Sequence, residues 1–377
     1  MADPDAPAVC MPVGVTWTCP AGFLIDGKAP GPGALPGCVP DPALCGADTW
    51  GGVQEAPGVL FVQAGAKAPG LGSRSAPFSS IQAASYKAKA GDTIAVAGGV
   101  YNEEVVLNKP VALVGRCAAM VTIGPAPGKP VASLILLHHL SPIASVVRGL
   151  TIAGNVMGLS VSGVPLVQIE QVHFKQTVGN AVTVRGGSST MTMSGVLIEG
   201  NRVESALPEA GATAIVIMTG AKVTLRQVRV SGCESVSVAV IDDKSTFTAD
   251  GLLVDQSSAV YHEIAPGLLV GQKAKASLRS TRMFAVAGLG AVVTGAGARR
   301  EATGLLIEDT RSSALSGLGG FGLQLEEGAL AVLRGVRLSG NRTAGIKVGG
   351  AGTELQATGL VVDHTWARDA DHKEGRG

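Results

Sequence analysis

Gly195-Val-Leu-Ile198, Gln227-Val-Arg-Val230 and Gly251-Leu-Leu-Val254 are three copies of one short phrase: a small or polar residue, an apolar one, a variable one, then another apolar one. The same phrase reads Gly149-Leu-Thr-Ile152 and Gln171-Val-His-Phe174 before them. It returns as Ser280-Thr-Arg-Met283, Gly304-Leu-Leu-Ile307, Gly335-Val-Arg-Leu338 and Gly359-Leu-Val-Val362 after them. Its last positions are 22, 24, 32, 24, 29, 24, 31 and 24 residues apart. Alternation with period two marks short strands, and repetition at this spacing marks a solenoid in which each repeat is one coil. The expectation is an all-β, right-handed parallel β-helix with two or three short strands per coil. Nine coils at the spacing of parallel strands would rise roughly 40 Å. A leucine-rich repeat has a similar period, but its fixed leucine and asparagine frame is absent.

Composition agrees. The 377 residues include 53 Gly and 20 Pro, with 46% hydrophobic, 16% charged and only 3% aromatic residues, which suits many Val/Ile/Leu strands joined by tight turns rather than a disordered chain. A formal net charge of +1 gives no global field toward nucleic acid. No apolar run, Ala132–Leu137 included, approaches a membrane span. Met1-Ala2-Asp3-Pro4 does not open a signal peptide, so the expectation is a cytosolic protein or a mature chain. Cysteine usage favours the second and a secreted or cell-surface location. Cys10, Cys19, Cys38 and Cys45 crowd a Pro/Gly-rich stretch too poor to build a core, where two disulfides in one of three pairings are the expected remedy. Gaps of 8, 18 and 6 residues lack the spacing of a zinc site, so no metal or cofactor is expected. Cys117 and Cys233 read as buried free thiols.

The chain therefore divides into a Cys/Pro/Gly-rich module at 1–50, a β-helix cap with the first coils at 51–130, and further coils at 131–377. Within the cap, Pro77-Phe78, Ile81-Gln82-Ala83-Ala84, Gly91-Asp92-Thr93-Ile94, Tyr101 and Glu103 stand in a characteristic order. This stretch, roughly 57–124, resembles the N-terminal opening of pectin-lyase-like parallel β-helix proteins of the DUF1565 and NosD type. The resemblance implies the fold and says little of activity, because this opening precedes enzymes and non-enzymes alike. Residues 80–89 suit a short amphipathic helix, with Ile81, Ala84 and Tyr86 or Ala88 on one face, closing the open end of the first coil.

From residue 198 onward, coils of 24 residues alternate with coils of 29 to 32. The surplus forms loops at Asn201–Thr213, Ser257–Pro266, Thr310–Phe321 and Thr365–Gly377, a row that could recognise a partner through Tyr261, His262 and Trp366. Short coils carry the arginine pairs Arg226/Arg229, Arg279/Arg282 and Arg334/Arg337, while long coils carry Glu199, Asp255, Glu308 and Asp363 directly after the phrase. Two readings follow: a lattice of surface ion pairs, or an arginine ladder for an anionic glycan, since guanidinium binds carboxylate as a fork. The ion-pair lattice is favoured.

Enzymes of this fold act on polysaccharides, so catalytic groups need testing. Asp363-His364 resembles part of a pectate lyase motif, but the preceding residues differ and no lyase-type arginine segment is present. Asp242-Asp243 resembles the paired aspartates of polygalacturonases, but the accompanying motifs are missing, and a turn before Lys244 is the simpler reading. A glycosidase needs two carboxyl groups working together, and adjacent strand residues face opposite ways. Aromatic platforms are scarce: after residue 150 there are only Phe174, Phe247, Tyr261, Phe284, Phe321 and Trp366. His138-His139 lacks acidic or Cys partners for a metal. Asn155, Asn201 and Asn341 each follow Gly and read as turn residues, with a partial asparagine ladder as an extension. Thr358–Thr365 repeats Thr303–Thr310, but the next strand is missing before Gly377, so the last coil is expected to be completed by absent residues or another chain. The reading is a non-enzymatic extracellular β-helix that binds a glycan or protein or acts as a spacer. A polysaccharide lyase or glycoside hydrolase for acidic polysaccharides is the alternative.

Overall fold

The computed structural model describes residues 17–67, 69–128, 133–154, 156–203, 212–259, 265–314 and 316–366. It is a parallel β-helix. A path of parallel strands starts at Val59–Val62, Thr93–Val96, Ala112–Gly115, Ser145–Arg148 and Val167–Glu170. It continues through the ten-residue strands Thr190–Glu199, Lys222–Ser231, Thr246–Asp255, Lys275–Phe284, Arg299–Glu308, Leu330–Ser339 and Glu354–Asp363. A second, ten-stranded sheet runs from Val105–Leu107 to Ala344–Val348.

The long strands are bent, and the bend explains the repeated phrase. Its first residue takes a left-handed conformation in all nine copies, with φ between 47° at Ser280 and 76° at Gly251. The ladder skips that residue: Ser194 pairs with Arg226 and Val196 with Val228, leaving out Gly195 and Gln227. Five residues later a second corner follows, with φ of 52° at Gln176, 64° at Gly200 and Gly232, 56° at Gln256 and 66° at Gly340. Each coil thus has a first face before one corner, a four-residue second face between two corners, and a third face in the other sheet. Small or polar residues dominate the corners because a side chain with a β-branch is disfavoured there.

Side chains pointing inward form stacked columns. Met191, Val223, Phe247, Ala276, Arg300, Ala331 and Leu355 align on the first face, and all but the last are buried. Val196, Val228, Leu252, Leu305 and Val336 do the same on the second face. Just past the second corner lies a polar column: Asn201 donates to Thr177 Oγ1 (3.1 Å) and to the Gly179 carbonyl (2.6 Å), and the Cys233 thiol donates to Asn201 Oδ1 (3.3 Å). Asn201 and Asn341 are fully buried. The expectation that they turn the chain is corrected: Gly200 and Gly340 before them take the left-handed corner. Asn201 binds Thr177 and Gly179, while Asn341 Oδ1 accepts from Thr310 N (3.4 Å) and its Nδ2 is left unpaired among the described residues. Asn155 lies outside the described residues.

The helix Ile81–Lys87 caps the first coil, with Ile81 and Ala84 buried. Of the two alternatives for its apolar face, Ala88 is buried and Tyr86 is 70% exposed. Glu103 holds the helix start, accepting from Ser80 Oγ (2.6 Å), Ile81 N (2.8 Å) and Gln82 N (2.9 Å). Tyr101 donates to the Ala97 carbonyl (2.9 Å) and accepts from Ala64 N (3.1 Å). The residues that carry the family resemblance are therefore architectural.

Disulfides join Cys19 to Cys38 and Cys45 to Cys117. The expectation of a free Cys117 is corrected: the thiol meets Cys45 because the N-terminal segment lies against the outside of the coils. Cys10 lies outside the described residues. Cys233 is a buried free thiol, pushed up to about 11 by its burial. The hairpin Phe23–Ile25/Cys38–Pro40 packs on the second face, with Phe23 edge-on to His173 at 5.8 Å and Leu197 against Phe23 and Cys38. Trp50 packs on Phe61 and donates to the Val62 carbonyl (3.0 Å). Among the described residues no helix is long and apolar enough to cross a membrane.

A candidate binding face on the outer sheet

The corner splits every arginine pair. Arg229, Arg282 and Arg337 lie past it on the second face, and each meets the carboxylate 26 residues later. Arg229 contacts Asp255 at 2.8 Å, Arg282 contacts Glu308 at 2.8 Å, and Arg337 contacts Asp363 at 2.7 Å. His173 and Glu199, at 3.3 Å, stand in the same relation one unit earlier. The offset comes from the register: Arg229 is opposite Leu253, so its side chain leans along the strand to Asp255. The His173 hydrogen bond holds Glu199 below its usual carboxylate range, and the Ser339 and Arg337 hydrogen bonds outweigh burial to do the same for Asp363.

One pair differs from the others. Arg229 and Asp255 are 2% and 0% exposed at their side chains, because the N-terminal segment covers them. The guanidinium also donates to the carbonyls of Thr18 (3.0 Å) and Pro36 (2.7 Å) and contacts Cys38 Sγ at 3.0 Å. The expectation that Arg229 offers itself to a ligand is corrected: its donors are used to hold this segment down. Arg282 and Arg337 are a quarter and a fifth exposed, each with its carboxylate in place.

The first arginine of each pair precedes the corner and has a different fate. Arg226, Arg279 and Arg334 are exposed, and none has a hydrogen-bond or ion-pair partner among the described residues. They share one outward column with Ser194, Asp250, Thr303 and Thr358. A parallel column holds Thr190, Lys222, Thr246, Lys275, Arg299, Leu330 and Glu354. Between them run Thr192, Thr224, Thr248, Ser277, Glu301, Val332 and Gln356. From the Thr190 strand onward this face carries six cations against three carboxylates. Arg299 is paired with Glu301 at 2.8 Å; Lys222 and Lys275 are free among the described residues. A shallow groove of about 380 Å³ crosses it between Thr246 and Glu301. The arrangement can hydrogen-bond and neutralise an acidic chain, but it presents no aromatic platform and no pair of free carboxylates.

The other candidates are dispersed. Asp242 and Asp243 occupy the turn between Val236–Val240 and Thr246–Asp255; Asp242 has φ 72° and accepts from Thr219 N at 3.1 Å. Asp363 is at the far end of a different strand, in its ion pair with Arg337. The structure does not bring these aspartates together. His138 contacts the Ser162 carbonyl (3.1 Å) and His139 contacts Ser145 Oγ (2.6 Å). Among the described residues no group of His, Cys, Asp or Glu is arranged for a metal ion. Trp366 is exposed two residues past the last corner at His364, its backbone N–H donating to the Asn341 carbonyl (2.9 Å). Tyr261 and His262 lie outside the described residues. A feature that the repeat pattern does not reveal is a cleft of about 740 Å³ under the hairpin, lined by Asp26, Lys28, Thr122, His173, Lys175 and Glu199. It arises from the docked N-terminal segment, which has no counterpart in the repeats.

No protein-family model matches the chain, and neither does any curated protein. Among solved structures, it is similar to ORF18 of Geobacillus virus E2, at 12% identity and a TM-score of 0.47 over 80% of this chain. The chain spans 60% of that protein's length. The catalytic domain of a GH87 alpha-1,3-glucanase, solved with tetrasaccharides, is similar at 11% identity and a TM-score of 0.41, over 82% of this chain and 69% of that one. The A-module of the mannuronan C-5 epimerase AlgE4 of Azotobacter vinelandii is similar at 16% identity and a TM-score of 0.33, over 80% and 94%. At these values no residue role or activity passes from them to this chain.

Proposed function

We propose that the protein is a non-enzymatic, extracytoplasmic β-helix that binds an acidic glycan along its first face. The observation that carries this reading is the split of the arginine pairs. The second arginines are matched by carboxylates, while Arg226, Arg279 and Arg334 are exposed without partners among the described residues, flanked by Lys222, Lys275 and a field of hydroxyl groups. The three arginines recur on every second strand, so they stand roughly 10 Å apart along the axis. A linear polyanion lying parallel to that axis would meet regularly spaced forks, each suited to a carboxylate. Two disulfides support an oxidising compartment.

The test is binding and turnover on soluble polygalacturonate, alginate and hyaluronan. The expected outcome is salt-sensitive binding to one of them, without unsaturated products or new reducing ends. An Arg226→Gln/Arg279→Gln/Arg334→Gln variant should bind at least tenfold more weakly while its thermal midpoint stays unchanged. Binding equal to that of the parent chain sinks the assignment of the face, and turnover of any of the three polymers sinks the non-enzymatic reading.

A further inference from the structure

Arg300 is the anomaly of the interior. It is 0% exposed, and Nε, Nη1 and Nη2 all lack a hydrogen-bond partner. Its inward orientation follows from the repeat itself. The corner at Gly304, with φ 66°, and the buried Leu305 and Ile307 anchor the strand, and period two then turns Arg300 inward and Arg299 and Glu301 outward. Sliding the strand by one residue to free Arg300 would expose the whole apolar set. The neighbours above and below it in the column are Ala276 and Ala331, whereas the same column holds Phe247 two strands away. Small residues thus flank the one large cation on both sides of its column.

A guanidinium in an apolar interior is the least tolerable of buried groups. Moving such an ion out of water costs several kcal/mol even after relaxation, unless an opposite charge or full hydrogen bonding offsets it. Arginine escapes by deprotonation least readily of all side chains; burial lowers its value to about 9, which leaves it charged at neutral pH. Among the described residues the only buried carboxylate is Asp255, already paired with Arg229, and the inward side chains of Arg300's own strand are Ala302, Leu305 and Ile307. Water could satisfy N–H groups but not the charge. We propose that Arg300 holds a monovalent anion of halide size inside the coil stack, at the inward end of its side chain, where its column neighbours are only Ala276 and Ala331. The site is built from one fork of donors and an apolar wall, so it selects small, weakly hydrated anions over multivalent ones.

The experiment uses the full chain in sodium gluconate, with chloride or bromide substituted at constant ionic strength. The parent chain should show a saturable rise in thermal midpoint with either halide. Arg300→Met should lose this response, and in gluconate alone it should melt above the parent chain, because an unneutralised charge has been removed. Equal halide responses in the two proteins, or an Arg300→Met midpoint at or below that of the parent in gluconate, would overturn the proposal. Anomalous scattering from bromide-soaked crystals of the unaltered chain gives a readout that does not depend on the variant folding. A bromide peak within hydrogen-bond distance of Arg300 supports the site, and ordered water alone in that position refutes it.

Discussion

Arg229 and Arg282 hold the same place in the repeat and make the same contact with a carboxylate two positions along the next strand, yet their energetic weight should differ. Arg229 is buried with all its donors on one side committed to Asp255, Thr18 and Pro36, whereas Arg282 and Glu308 are about a quarter exposed. Truncating one partner of a buried ion pair strands the other and costs about 3–5 kcal/mol. A solvent-facing pair contributes about 0–1 kcal/mol. Urea unfolding of Arg229→Ala and Arg282→Ala should therefore give losses differing by at least about 2 kcal/mol; similar losses would mean that the covering segment does not desolvate Arg229. The sequence pattern put both arginines in one lattice, and geometrically both are. It could not distinguish them, because the segment that buries Arg229 is about two hundred residues away along the chain.

Within one coil, the four-residue second face bounded by two left-handed corners is the unit that makes the phrase repeat. Corner residues differ in what they tolerate. Gly195 has φ 58°, and a Cβ there would come within 2.4 Å of the Ala21 carbonyl oxygen. Gly195→Ala combines a left-handed penalty of about 1–2 kcal/mol with that clash, so a loss above about 2 kcal/mol is expected in urea. Gln227 has φ 51° in the equivalent place on the next strand. There Gln227→Gly removes the backbone penalty at the expense of unfolded-state entropy, and stability should change by less than about 1 kcal/mol. If both substitutions cost the same, the corner rather than the docked segment sets the requirement for glycine. The first corner of each coil shows in the sequence only as a small or polar residue opening the phrase, and its left-handed conformation emerges in the structure; at the second, glycine does the turning while the neighbouring asparagine reads in sequence as the turn residue.

At the scale of the molecule, the N-terminal segment acts as a strap along the outside of the stack. It is fastened at Cys45–Cys117 near the first coils, at Gly22 beside Gln171, at Arg229, and by the Arg311 guanidinium donating to the Gly33 carbonyl at 3.3 Å. Loop-closure entropy ranks the two crosslinks by their separations of 19 and 72 residues. On that basis Cys19→Ser/Cys38→Ser should cost about 3 kcal/mol and Cys45→Ser/Cys117→Ser about 4 kcal/mol, as read by urea unfolding of each variant. The reverse order would show that the longer loop is already restrained in the unfolded chain. The strap covers the first face only at the first coils, where Trp50 packs on Phe61, and the second face as far as Arg229; from the Thr190 strand onward it leaves the first face open, so it also decides which arginines can meet a ligand.

The repeated phrase by itself determined the parallel coils, the inward and outward faces and the pairing of arginine with acid, because these depend on contacts between neighbouring coils that recur at a fixed spacing. The tertiary structure alone decided the partner of Cys117, the burial of Arg229, the cleft beside His173 and the exposure of Arg226, Arg279 and Arg334. Each depends on where one non-repeating segment lies against the stack, and a repeat pattern carries no information about a contact that occurs only once.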